Sequence, residues 1–137
     1  MKTLRSVSLA VASVFLLAGC SAMDALGSRS ATGTYELQAV NGYQVPAVVH
    51  EEPGYRLEVL NAAFTLESDG TYSEAGIVRE TQYGQTSTRS SSSYGRYDYY
   101  NGELTFNESS GRQYFGTFDG STLVIEDQGV RMEYRRY

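Results

Sequence analysis

The sequence predicts an all-β domain, a sandwich or a barrel, on three observations. Apolar and polar residues alternate over short runs, as in Tyr35-Glu36-Leu37-Gln38-Ala39. Asn-Gly and Asp-Gly pairs, the strongest short-range hairpin signals, fall between such runs. Turn signals then recur roughly every 8–12 residues with no helical period between them.

Ahead of that domain, Met1-Lys2-Thr3-Leu4-Arg5 places two positive charges at the chain start. An apolar stretch follows from Val7 to Ala18, interrupted only by Ser8 and Ser13. A charged head and a short apolar run are the design of a secretory signal, and the run is short for a span that needs about 20 apolar residues. Leu17-Ala18-Gly19-Cys20 resembles the lipobox of bacterial lipoprotein signal peptides. The resemblance implies cleavage before Cys20 and diacylglycerol on its thiol, with the new amino group acylated as well. One acyl chain holds a protein only marginally, whereas two or three anchor it. Cys20 is the only cysteine, so no intramolecular disulfide can form, and acylation would remove a lone thiol from an oxidising compartment. Ser21, in place of the aspartate that favours inner-membrane retention in diderm bacteria, implies the periplasmic face of the outer membrane. Residues 1–19 are thus a signal peptide. Residues 20–31, small and polar, are the lipidated N-terminus and a flexible tether, and 32–137 are the folded domain.

Within the domain, the first strand carries Tyr35, Leu37 and Ala39 on one face and stops at Asn41-Gly42. Residues 43–54 hold both prolines, Pro46 and Pro53, together with His50, Glu51 and Glu52, and are expected to be mostly loop. Tyr55 to Leu60 forms a strand with Tyr55, Leu57 and Val59 inward. Ala63 to Glu67 forms another, with Phe64 and Leu66 inward. Further strands are expected at about 72–82, 92–99, 103–107, 112–118, 121–127 and 130–136. Asn41-Gly42, Asp69-Gly70, Asn101-Gly102 and Asp119-Gly120 are expected to form primed turns, with Gln128-Gly129 as another tight turn. The run Ser90-Ser91-Ser92-Ser93 is expected to be the polar start of a strand. Tyr94-Gly95-Arg96-Tyr97 should form a glycine-containing bulge within it.

A chain beginning at Cys20 would keep nine arginines and no lysine against sixteen acidic residues. Such an acidic domain lacks the basic face that nucleic acid or anionic lipid requires. All twelve tyrosines follow Cys20, and there is no tryptophan. Tyrosine suits strands whose rings pack while the hydroxyl stays wet.

The order of these signals is similar to small lipocalin-like domains of bacterial lipoproteins. The matching residues are Gly33-Thr34-Tyr35-Glu36-Leu37, Val40-Asn41-Gly42 with Pro46, and Phe64-Thr65-Leu66 with Asp69-Gly70-Thr71-Tyr72. The match continues through Gly102 to Phe106, Gly116, Asp119-Gly120 with Thr122-Leu123-Val124, and the terminal Tyr134-Arg135-Arg136. Tyr35 stands where that pattern has a tryptophan. The resemblance implies an antiparallel up-and-down barrel of about eight strands.

No catalytic centre is expected. The one histidine, His50, sits beside Glu51 and Glu52 in a polar stretch, where consecutive residues do not converge on a metal. Glu126 and Asp127 are strand neighbours pointing to opposite faces, which defeats paired acid–base work. No glycine-rich phosphate loop opens a helix, and neither cofactor nor metal is expected. Two function classes remain. One is a barrel holding a small apolar or amphiphilic ligand, packed at one end and open at a mouth lined by Tyr97 and Tyr99. The other is a protein-binding envelope factor. Lysozyme-inhibitor lipoproteins carry a serine–glycine–tyrosine loop to which Ser93-Tyr94-Gly95-Arg96-Tyr97 is loosely similar.

Overall fold

The computed structural model describes residues 30–137, an all-β chain of ten strands. The expected signal peptide, Cys20 and most of the expected tether lie outside the described residues. The strands are β1 (Gly33–Val40), β2 (Tyr43–Gln44), β3 (Ala47–Glu52), β4 (Tyr55–Leu66) and β5 (Thr71–Gln82). They continue as β6 (Gln85–Tyr100), β7 (Glu103–Glu108), β8 (Gln113–Phe118), β9 (Thr122–Asp127) and β10 (Val130–Arg136). Each of β4 to β10 pairs antiparallel with the next, β10 pairs with β1, and Gly33–Glu36 of β1 pairs with Ala63–Leu66 of β4. That last ladder closes an eight-stranded up-and-down barrel, while β2 and β3 flank the seam where β1 and β4 diverge.

Residues 43–54 are therefore not mostly loop: β2 pairs with the end of β1, and β3 runs along the first half of β4. The two strands expected between Tyr55 and Glu67 are one. Val59 packs against the core at an odd position, with Tyr55 and Leu57 on its face of the strand, whereas Phe64 and Leu66 are buried at even ones. The register slips between Val59 and Asn61 against β5, so a bulge at Leu60 switches the parity without ending the strand. A second slip, between Leu37 and Ala39, turns Val40 rather than Ala39 into the core.

Two of the four expected primed turns form. Asn41-Gly42 and Asn101-Gly102 have both residues at positive φ, as does Gln128-Gly129. At Asp69-Gly70 and Asp119-Gly120 only the glycine is at positive φ. Each aspartate instead accepts backbone amides with its carboxylate, Thr71 N at 2.9 Å and Thr122 N at 2.8 Å. The Thr71 hydroxyl and then its amide at Asp69, and the Ser121 and Thr122 amides at Asp119, hold both carboxyls below the usual aspartate range. A fourth primed turn, Tyr83-Gly84, was not expected, because tyrosine is an unusual residue at positive φ.

Ser90–Ser93 is strand, as expected, but Gly95 is not a bulge. It pairs in unbroken register with Tyr72 on one side and Glu108 on the other. Its need for glycine is steric, since a Cβ there would lie 2.2 Å from the backbone oxygen of Asn107. Gly95→Ala is expected to destabilise the fold by about 1–3 kcal/mol, the range for overpacking, while exposed Tyr94→Ala should change it by less than about 0.5 kcal/mol. Urea unfolding of the two variants would check the order.

The interior is filled by rings. Phe64 stacks on Tyr72 and Phe106 on Tyr114, at centroid distances of 5.2 and 5.0 Å, and Tyr134 meets Phe64 edge-on at 5.6 Å. Leu37, Val40, Leu66, Leu104, Leu123 and Ile125 pack around them, with Tyr35 and Phe118 toward one end. Ala31, placed by composition in the tether, is buried with them.

Candidate functional site

The barrel has two unlike ends. At the end where the chain enters, Arg136 lies across the rings of Tyr35 and Phe118, 5.3 and 5.0 Å from their centroids. Its guanidinium donates to the carbonyls of Ser30 and Thr32 and to the Tyr35 hydroxyl, each at 2.8 Å. The Tyr35 hydroxyl in turn donates to the carbonyl of Ala31. The sequence-selected tyrosines stand at this same end. Tyr97 is half-buried, donates to the Glu67 carbonyl at 2.7 Å, and packs its ring 6.4 Å from Phe106. Tyr99 is half-buried with its ring edge-on to Phe118 at 6.3 Å. The two belong to one wall, and their rings are spent on packing against the core.

Inside the other end sits a polar cluster that sequence reasoning missed. Glu74 accepts from the Tyr134 hydroxyl at 2.6 Å and from the Ser93 hydroxyl at 3.2 Å. The hydroxyls of Tyr72 and Tyr114 are buried close by without hydrogen-bond partners. Burial, and then the Glu74 charge, push the Tyr134 hydroxyl well above its ordinary pKa. Burial does the same to Tyr114 and Tyr72. Alternation could have found Tyr72 and Tyr114, each at an inward position of its expected strand. Glu74 carries no such signal, because an inward acid on a strand reads as a break in the pattern. Arg112 closes this corner, bridging Glu108 and Asp127 at 2.7 and 2.6 Å above the Tyr114 ring.

Beyond the cluster, four strands continue past the barrel. β7 stops pairing with β6 at Gly95, and β1 leaves β4 at Ala63, yet β5 stays paired with β4 to Tyr55 and with β6 to Gln85. The result is a four-stranded antiparallel arm of β3, β4, β5 and β6. From Gly76 to Gln82 it spans about 20 Å at the rise of an antiparallel strand. One arm face carries a charged network: Glu58 accepts from Arg79 at 2.7 Å and from Arg56 at 3.0 Å, and Arg56 also faces Glu51. These guanidiniums, Arg79 foremost, hold the Glu58 carboxyl below its ordinary range. His50 lies 3.8 Å from Glu52 and 5.7 Å from the Tyr55 ring on the same arm. At the tip, Tyr83 is 84% exposed although its φ is 48°, and its ring lies across Gly54. A bulky residue held at positive φ in full view of solvent is a local cost that no core contact offsets.

No protein-family model matches the chain, and no curated protein matches it. Among solved structures it is similar to the Cpx pathway activator NlpE from Escherichia coli, at 23% identity and a TM-score of 0.38. The match covers 60% of this chain and 40% of that one, so the chain spans less than half the length of that protein.

The structure does not bring His50, Glu51 and Glu52 together around a point: His50 and Glu52 approach one another while Glu51 turns to Arg56. Glu126 and Asp127 face opposite sides of β9, Asp127 being held by Arg112. Ser93 to Tyr97 lies within β6 and forms no loop.

Proposed function

We propose that this chain is a non-enzymatic envelope lipoprotein that engages another protein through its arm, with the barrel as a filled support. The observation that carries this reading is the placement of the arm. Strands in a barrel keep their length because each covers part of a core. Here β6 runs Gln85 to Tyr100, and residues 85–92 are exposed on both faces. A segment that covers nothing, ends in an exposed tyrosine at positive φ and stays fully paired on one side suits docking better than packing.

The chain termini support the orientation. Ser30 is bonded to Arg136 and Tyr137 N to Thr34 O, both at the end opposite the arm. A lipid on Cys20 would therefore hold the barrel at the membrane through a tether of about 16–19 Å, with the arm directed away from it. Ser21 favours the periplasmic face of the outer membrane. An amphiphile held at Tyr97 and Tyr99 has weaker support, because both rings pack against Phe106 or Phe118.

Three measurements test the proposal. Labelled palmitate should mark the wild type and not Cys20→Ala. A photoreactive phenylalanine at Tyr83 should give a discrete protein adduct in intact cells, whereas one at Phe115, exposed on the barrel wall, should give none. A fluorescent fatty acid should not be taken up. Uptake that Tyr97→Ala and Tyr99→Ala weaken without unfolding the barrel would overturn the reading in favour of a ligand site.

A further inference from the structure

We infer that the outer edge of β6, from Gln85 to Ser93, accepts an extended segment of a partner protein as an added antiparallel or parallel strand. The inference rests on the protein-docking reading above and gives it a mode.

The geometry begins at the two-residue turn Tyr83-Gly84. In such a hairpin the flanking pair, Gln82 and Gln85, exchanges both backbone hydrogen bonds, and every second pair along the ladder then does the same. The odd-numbered residues of β6 thus spend their amides and carbonyls on β5, and the even-numbered residues point theirs outward. Two bonds agree with this assignment: Tyr97 N donates to Gly70 O toward β5, and Tyr94 O accepts from Ser109 N on the other side. Thr86, Thr88, Ser90 and Ser92 therefore present their N–H and C=O groups along the edge. Among the described residues no strand pairs with that edge before Tyr94.

Exposed edges are normally blunted by lysine, proline, a bulge or brevity. This one is nine residues long, has no proline or lysine, and runs against β5 without a register slip. Its side chains are short hydroxyls and amides apart from Arg89, so the backbone stays open to an incoming chain. That is the condition for β-augmentation, in which main-chain bonds supply affinity and alternate side chains supply selection. Arg89 meets Glu80 through Nε at 3.4 Å but is exposed, so its remaining guanidinium donors can also take a carboxylate on the incoming strand.

The occupant is not a second copy. Two β6 edges related by a two-fold would run antiparallel, which sends the two N-termini in opposite directions. Two chains anchored at Cys20 in one leaflet, as proposed above, with ten residues to Ser30, could not both follow.

The test uses the full chain in detergent and a capped nine-residue peptide of threonine and valine with one central glutamate. Amide exchange by NMR should show Thr86, Thr88, Ser90 and Ser92 open in the free protein. Excess peptide should slow these four at least about tenfold, while the odd-numbered amides of β6 stay as they were. A central lysine should weaken binding. Ser90→Pro removes one outward N–H and should lower affinity about tenfold, whereas Ser90→Ala keeps it and should bind as the wild type does. Protection elsewhere, no protection, or equal binding by Ser90→Pro would overturn strand addition. So would concentration-dependent protection of these amides without peptide, which would mean self-pairing. If Tyr83 still cross-links to a protein in cells while the edge amides stay open, the docking reading stands and only its mode fails.

Discussion

Phe106→Ala is expected to lower folding stability by about 3–5 kcal/mol, the range for a buried phenylalanine cut back in a core that cannot collapse. Phe106 is fully buried and meets the rings of Phe64, Tyr72, Tyr97 and Tyr114. Its place is shaped from the neighbouring strand as well: Gly116 has no Cβ, and one built there would stand 3.1 Å from the Phe106 ring. Eight strands joined in a closed ladder resist shrinking into the void, so the cavity term persists. Phe115→Ala supplies the control. Phe115 lies one strand away on the outer face, 57% exposed, and its loss should change stability by less than about 0.5 kcal/mol. Denaturant unfolding of both variants decides the matter, and equal losses would mean that the barrel interior is not where these rings pack.

That contrast was legible in the sequence, because alternation separates Phe106 from Phe115 whenever one face of a strand is buried. The barrel wall could be read for the same reason. Tyr35, Leu37, Phe64 and Leu66, picked as inward from alternation, are buried in the structure, while Ala39 yields its inward place to Val40. The bulges were half-legible: the parity of apolar positions changes between Val59 and Phe64, and a chain can resolve that change either by ending a strand or by inserting one residue. Alternation cannot choose between them.

The arm was illegible on physical grounds. Residues 85–92 are exposed on both faces, so nothing selects apolar side chains at every second position and no period of two can appear. β3 was hidden for a different reason: only Ala47 and Val49 at its start pack against the core, and two flanking prolines with a charged run resemble a loop. The Tyr83-Gly84 turn escaped because the usual signal is asparagine or aspartate before glycine. The polar cluster around Glu74 was hidden because buried hydrogen bonds between distant strands leave no local pattern. Tyr97 and Tyr99 were found as inward residues, but whether an inward ring lines a space or fills it depends on the radius of the barrel and on its neighbours, which one strand does not report.

The second large effect should appear in alkali. Tyr72, Tyr114 and Tyr134 are buried, and burial raises the pKa of each, with the Glu74 charge adding to the shift at Tyr134. In the unfolded chain their pKa falls to about 10. The folded state therefore holds these protons, and that of the equally buried Tyr35, more tightly than the unfolded state does, and stability must fall as pH rises from about 10 toward the folded values. At pH 11, one unit above the unfolded pKa, each tyrosine that the fold keeps protonated contributes a loss of at most about 1.4 kcal/mol. The chain makes this unusually clean to measure. Its only lysine is Lys2, ahead of Cys20, and arginine does not titrate in the range, so tyrosine dominates proton release. Urea unfolding at pH 8 and 11, with tyrosinate absorbance followed near its maximum, should show stability and ionisation falling and rising together. Tyr114→Phe should remove an unpartnered buried hydroxyl at little cost near neutrality and reduce the alkaline loss. Stability unchanged between pH 8 and 11 would mean that these three hydroxyls reach water, and that the interior is open after all.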